Sequence, residues 1–170
     1  MKQRIGFTQA WVNAGVVDSA DLASDDPNGE HGRAAAFLAF LRRSNSFTDG
    51  QVDQLLALTD EGDDGCDLSV NRHIELIASR TLSDAQHFAL AARHPRVLEP
   101  PVAKRYLREG LRRKIEATGL EANFAELQQH ADAEIQRLML EHPQLTRAQA
   151  QWLATEGANR AIRNRAGRLL

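Results

Sequence analysis

The chain has 170 residues, a formal net charge of −2, 42% apolar residues and only 5% Phe, Trp and Tyr. That length suits one domain with a real core, and the core must be mainly Leu, Ala, Ile and Val. The single cysteine, Cys66, excludes an internal disulfide and argues against a thiolate zinc site or an iron–sulfur centre.

Leu and Ala are strong helix formers, β-branched residues are sparse, and no stretch alternates as a half-buried strand would. The longest apolar block, Ala34 to Leu41, is too short to span a bilayer or to serve as a signal sequence. The expectation is one all-α, compact multi-helix domain over 1–170, with about seven to nine helices sharing a core. An irregular stack of helical hairpins is the variant of that fold. A soluble, cytoplasmic protein follows as the default.

In chain order, a first helix is expected over Thr8 to Ala14, with Trp11 and Val12 on its apolar side. Asp26-Pro27-Asn28-Gly29 is turn chemistry. A helix over 30–43 follows, with Phe37, Phe40 and Leu41 at i, i+3 and i+4. Three later helices share one start signal. Thr48 with Gln51, Ser83 with Gln86 and Thr146 with Gln149 each place a hydroxyl three residues before a Gln, as a capping box requires. A hydrophobic staple between Phe47 and Val52 fits the first of them.

The acidic stretch Asp60-Glu61-Gly62-Asp63-Asp64-Gly65-Cys66-Asp67 superficially resembles a calcium loop. With Gly65 at the sixth loop position, Gly62 falls at the third and Asn71 at the twelfth, where carboxylates are required. A solvated loop is the reading. The acidic neighbours also disfavour a Cys66 thiolate.

A helix with Ile74 and Ile77 inward comes next, then the Ser83-capped helix, which Arg93-His94-Pro95 ends. Helices over 101–117 and 121–141 follow, separated by Thr118-Gly119, where Gly suits the residue after a helix end. In the second, Phe124, Leu127, Ala131, Ile135, Leu138 and Met139 recur at helical spacing. Past Thr146 a last stripe includes Trp152, Ile162 and Ala166, interrupted by Gly157. The large residues expected in the core are Phe37, Phe40, Leu41, Leu107, Leu111, Phe124, Leu127, Ile135, Leu138 and Trp152.

Charge is unevenly spread. Residues 1–85 net −7 and residues 86–170 net +5, which allows a dipolar surface. Two basic runs are the candidate contacts for nucleic acid or an acidic partner. One is Lys104, Arg105, Arg108, Arg112 and Arg113; Arg105, Arg108 and Arg112 share a helix face away from Leu107, Leu111 and Ile115. The other is Arg160, Arg163, Arg165 and Arg168, which also suit the end of a helix dipole. Ala148 to Arg160 suggests a helix-turn-helix, but neither the short turn nor the following apolar helix is well defined in the sequence.

No nucleophile elbow, Gly-rich phosphate loop or zinc-finger spacing is present. His130 and Glu134, at i and i+4, have the spacing of two helical metal ligands, without the paired carboxylate and histidine motifs that such a site needs. Arg137-Leu-Met-Leu-Glu-His142 resembles the Arg-x4-His signature of HEPN-type helical ribonucleases over six residues. That resemblance would imply RNA chemistry by Arg137 and His142 across a dimer interface, although Leu138 stands where that family usually has a polar residue.

The reading is therefore a non-catalytic interaction or regulatory protein, with no cofactor, catalytic residue or metal. Its expected partner is another protein or a second copy of the chain. Nucleic acid bound by the basic half is the alternative, and a ribonuclease-like or metal-dependent enzyme is a remote one. No membrane is expected.

Overall fold

The computed structural model describes residues 6–23, 29–60 and 68–170. The turn at 26–28 and the acidic loop with Cys66 lie outside them. Nine α-helices and two short 3-10 helices, with no strand, are the regular structure among the described residues. None of these helices is long and apolar enough to cross a membrane. The chain divides into two compact units, Met1–Tyr106 and Leu107–Leu170, each built on its own apolar cluster.

The first unit contains α1 (Gln9–Asn13), α2 (Gly29–Arg43), α3 (Asp49–Asp60), α4 (Leu68–Ala78) and α5 (Asp84–Arg93). It also holds 3-10 turns at Ser19–Ala23 and Pro95–Leu98. The short α1 is closed by Gly15 at φ 72°, with Val16 N–H donating to Trp11 O and Gly15 N–H to Val12 O. This pairing of the last carbonyls needs a left-handed residue, which Gly supplies without a Cβ penalty. Arg43 from α2 adds hydrogen bonds to the carbonyls of Gly15 and Val16.

Trp11 is fully buried and packs edge-on against Phe7 and Phe37, at 5.5 and 6.3 Å between centroids. Phe37, Phe40 and Leu41 are buried as expected, and Phe47 and Val52 join the same cluster. All three capping boxes form: Thr48, Ser83 and Thr146 accept from Gln51, Gln86 and Gln149, whose side chains reach back to the cap amides.

The second unit takes most of α6 (Val102–Gln128), then α7 (Ala133–Glu141), α8 (Arg147–Glu156) and α9 (Arg160–Gly167). The expected break at Gly119 is present as a kink inside α6, with φ 85° and ψ 169°. Asn123 seals it by donating to the carbonyls of Lys114 and Gly119 and to Thr118 Oγ1.

The single helix expected over 121–141 is instead two. The backbone leaves the helix after Gln128 and restarts at Ala133, because Asp132 caps the new start through the amides of Glu134 and Ile135. Leu111, Leu127, Ile135, Met139, Leu153, Ile162 and Ala166 form this unit's core. Phe124 and Trp152 are half-buried against it, edge to face at 5.7 Å. Leu107 and Leu138, expected inside, are 36% and 40% exposed. Apolar periodicity identifies a stripe but not which of its edges meets a neighbour.

Candidate nucleic-acid interface

The basic residues of α6 are for the most part committed within the fold. Arg108 donates from Nε to Asp132 Oδ2 at 2.9 Å and pairs through Nη1 with Glu134, joining α6 to α7. Arg112 forks between Glu109 and Glu116. Arg113, 5% exposed, donates to Glu109 Oε1 at 3.0 Å. Lys114 reaches both carboxylate oxygens of Glu126 across the Gly119 kink, at 2.8 Å each. Of the cationic face expected for Arg105, Arg108 and Arg112, Arg108 and Arg112 belong instead, with Arg113, to a half-buried ion-pair network within the second unit. Lys104 and Arg105 lie on the part of α6 that belongs to the first unit. Lys104 is exposed and Arg105 half-buried, with its Nε shielded from solvent.

Burial alone would push Glu109 up, but the hydrogen bonds and charges of Arg112 and Arg113 outweigh it and hold the carboxyl below its ordinary value. Burial likewise opposes ionisation of Asp132, and is outweighed by Arg108 and the two amides it caps. Carboxyls depressed in the folded state stabilise the fold above their ordinary titration range. That contribution is lost as pH falls through the folded values. Melting temperature should therefore be flat near neutrality and drop below about pH 4.5. Removing one of these acids with Glu109→Gln should lower the neutral plateau and flatten the acid limb. An unchanged acid limb in that variant would contradict the assignment.

The C-terminal run is different. α8 and α9 are joined by the three residues Gly157-Ala158-Asn159, so helix, tight turn and helix follow one another. The turn is built with care. Asn159 caps α9 by accepting from Ile162 N, and Gln136 of α7 accepts from Ala158 N at 2.6 Å. A Cβ on Gly157 would lie 2.4 Å from Leu153 O, so only glycine fits.

The short turn and following helix that the sequence left ill defined are thus present. The inward stripe of α9 is Ile162 and Ala166, both buried, as the last apolar stripe of the sequence implies. Arg160, Asn164 and Arg168 lie one turn apart in a row on the opposite, exposed face, flanked by small Ala161 and Gly167. Arg163 is exposed and donates to Gly157 O at 2.6 Å. Arg165 pairs with Glu141 at 3.1 Å. No carboxylate pairs with Arg160, Arg163 or Arg168 among the described residues.

His130 stands in the loop before α7 while Glu134 pairs with Arg108, so the two no longer share one helix. His142 caps the end of α7 and its Nδ1 accepts from Gln144 N, while Arg137 is exposed on the same helix.

A polar cluster that sequence reasoning did not single out lies in the first unit. His73 Nε2 faces Thr59 Oγ1 at 2.8 Å and His94 Nε2 at 2.9 Å. The Thr59 hydroxyl donates its one proton to Leu56 O at 2.6 Å, so in the Thr59–His73 contact His73 Nε2–H is the donor and Thr59 Oγ1 the acceptor. The cluster pins α3, α4 and the end of α5 together. Among the described residues no three His, Cys, Asp or Glu side chains are grouped to hold a metal.

No family model matches the chain, and neither a curated protein nor a solved structure shows significant similarity to it.

Proposed function

We propose that this protein works by binding nucleic acid, with the exposed face of α9 as the contact surface. The observation that carries the reading is the Arg160–Asn164–Arg168 row on the second helix of a helix-turn-helix, its arginines unpaired with carboxylate among the described residues. Guanidinium groups bind phosphate bidentately, and phosphates supply most of the affinity of such complexes. The α6 cations are largely neutralised by Glu109, Glu116, Glu126, Asp132 and Glu134. α9 therefore presents available positive charge, with exposed Arg147 at the start of α8 beside it in the same unit.

Binding should weaken linearly with log salt, by about 0.9 in log K per phosphate neutralised. Replacing both Arg160 and Arg168 with Ala should reduce the magnitude of that slope by about 2, since each phosphate contact contributes about one. Titrating a labelled DNA duplex with the full chain at several salt concentrations measures both. Absence of binding at low salt, or a slope unchanged in the double variant, would overturn the reading.

A second reading, a protein partner, draws on a groove of about 500 Å³ lined by Leu140, Leu145, Ala150, Leu169 and Leu170 together with His142, Thr146 and Arg147. A partner seated there would be held through mixed apolar and polar surface, and its affinity would depend on salt less steeply than that of nucleic acid.

A further inference from the structure

Resting on the nucleic-acid reading, we infer that α9 is a recognition helix for duplex DNA and that Asn164 reads a base from the major groove. In a helix-turn-helix, the second helix lies in that groove and contacts base edges. α9 has eight residues, and an α-helix with its side chains is about 10–12 Å across, which a groove about 12 Å wide admits.

Arg160 and Arg168 stand one helical turn to either side of Asn164 on the same exposed face, so two long guanidinium arms flank a short carboxamide. The Asn164 side chain makes no hydrogen bond among the described residues. An uncommitted carboxamide carries a donor and an acceptor side by side, the pair that matches N7 and N6 of adenine. Ala161 and Gly167 beside the row let the helix backbone approach closely.

Two observations select duplex DNA over other nucleic acids. Single strands are held by stacking on aromatic side chains, and α9 has none, its only larger apolar residue, Ile162, being buried. Duplex RNA has a deep, narrow major groove that side chains do not read.

The test is selection of duplexes from a library randomised over one helical turn, using the full chain and Asn164→Ala. Asn164 is exposed and away from the core, and circular dichroism checks that the variant stays folded. The expected result is a short motif containing an adenine preferred about tenfold or more over other bases, the discrimination of one good bidentate contact. In Asn164→Ala that preference should vanish while affinity for random-sequence duplex stays within about twofold, because non-specific binding rests on phosphates. Salt-dependent duplex binding with no motif, or a motif unaltered in Asn164→Ala, overturns the recognition-helix inference and leaves the nucleic-acid reading standing. Tighter binding to single strands or duplex RNA than to duplex DNA overturns the groove assignment in the same way. No binding to any nucleic acid at low salt overturns the underlying reading instead.

Discussion

Trp11→Ala should destabilise the N-terminal unit by about 3–5 kcal/mol, the cost of removing a large aromatic side chain from a packed site. Trp11 is 0% exposed and holds Phe7 and Phe37 in edge-on packing. Its ring also lies 5.9 Å from the guanidinium of buried Arg72, whose Nη2 bonds Thr59 O. The substitution leaves a cavity and at once strips a buried cation of its aromatic face. Because α1 has only five residues, it has little intrinsic stability. Trp11 is what anchors it. A melting-temperature drop of more than about 10 °C is expected, at roughly 4–8 °C per kcal/mol for a unit of this size. Trp11→Phe should lose distinctly less. A loss under about 1 kcal/mol for the alanine variant would show that this packing does not hold the unit together.

How far the sequence reveals this architecture depends on the range of the interaction. The capping boxes at Thr48, Ser83 and Thr146 form as read, since hydroxyl and Gln are three residues apart and need no tertiary partner. Gly119 is legible for the same reason, its role being local backbone conformation. The break before α7 was not, because the apolar spacing of Leu127, Ala131 and Ile135 runs smoothly through it. What stops the helix there is Asp132, which gains two amides and the Arg108 guanidinium by capping. Arg108 lies 24 residues away from Asp132. That distance hides the commitment of Arg108 from the sequence, whereas Arg112 and Arg113 pair with Glu109 and Glu116 at the local i, i+3 and i, i+4 spacings. Asn164 is not legible either, since an Asn in a helix is ordinary until its neighbours in space are known. The value of the α9 row comes from what faces inward, Ile162 and Ala166, and not from the composition of the segment.

Gly157→Ala should cost the C-terminal unit about 1–3 kcal/mol, as overpacking a tight site does, and should weaken nucleic-acid binding as well. The strain is not conformational. Gly157 sits at φ −55° and ψ 142°, open to any residue. The obstacle is space, since an added Cβ would meet Leu153 O at 2.4 Å, Ile162 Cγ2 at 2.8 Å and Arg163 Cγ at 3.1 Å. Leu153 O accepts the Gly157 amide as the last bond of α8, so relief requires opening that turn or pushing α9 outward on its Ile162 anchor. Either movement displaces the Arg160–Asn164–Arg168 row relative to α8. Gly50→Ala is the matched control: Gly50 lies in the first turn of α3 with nothing within 4 Å of the added carbon. Stability there should rise by about 0.4–1 kcal/mol through the unfolded chain, with binding unchanged. Thermal unfolding and duplex titration of both variants, side by side, separate the outcomes. Lost stability with full affinity in Gly157→Ala would mean that the turn supports the fold without setting the contact surface.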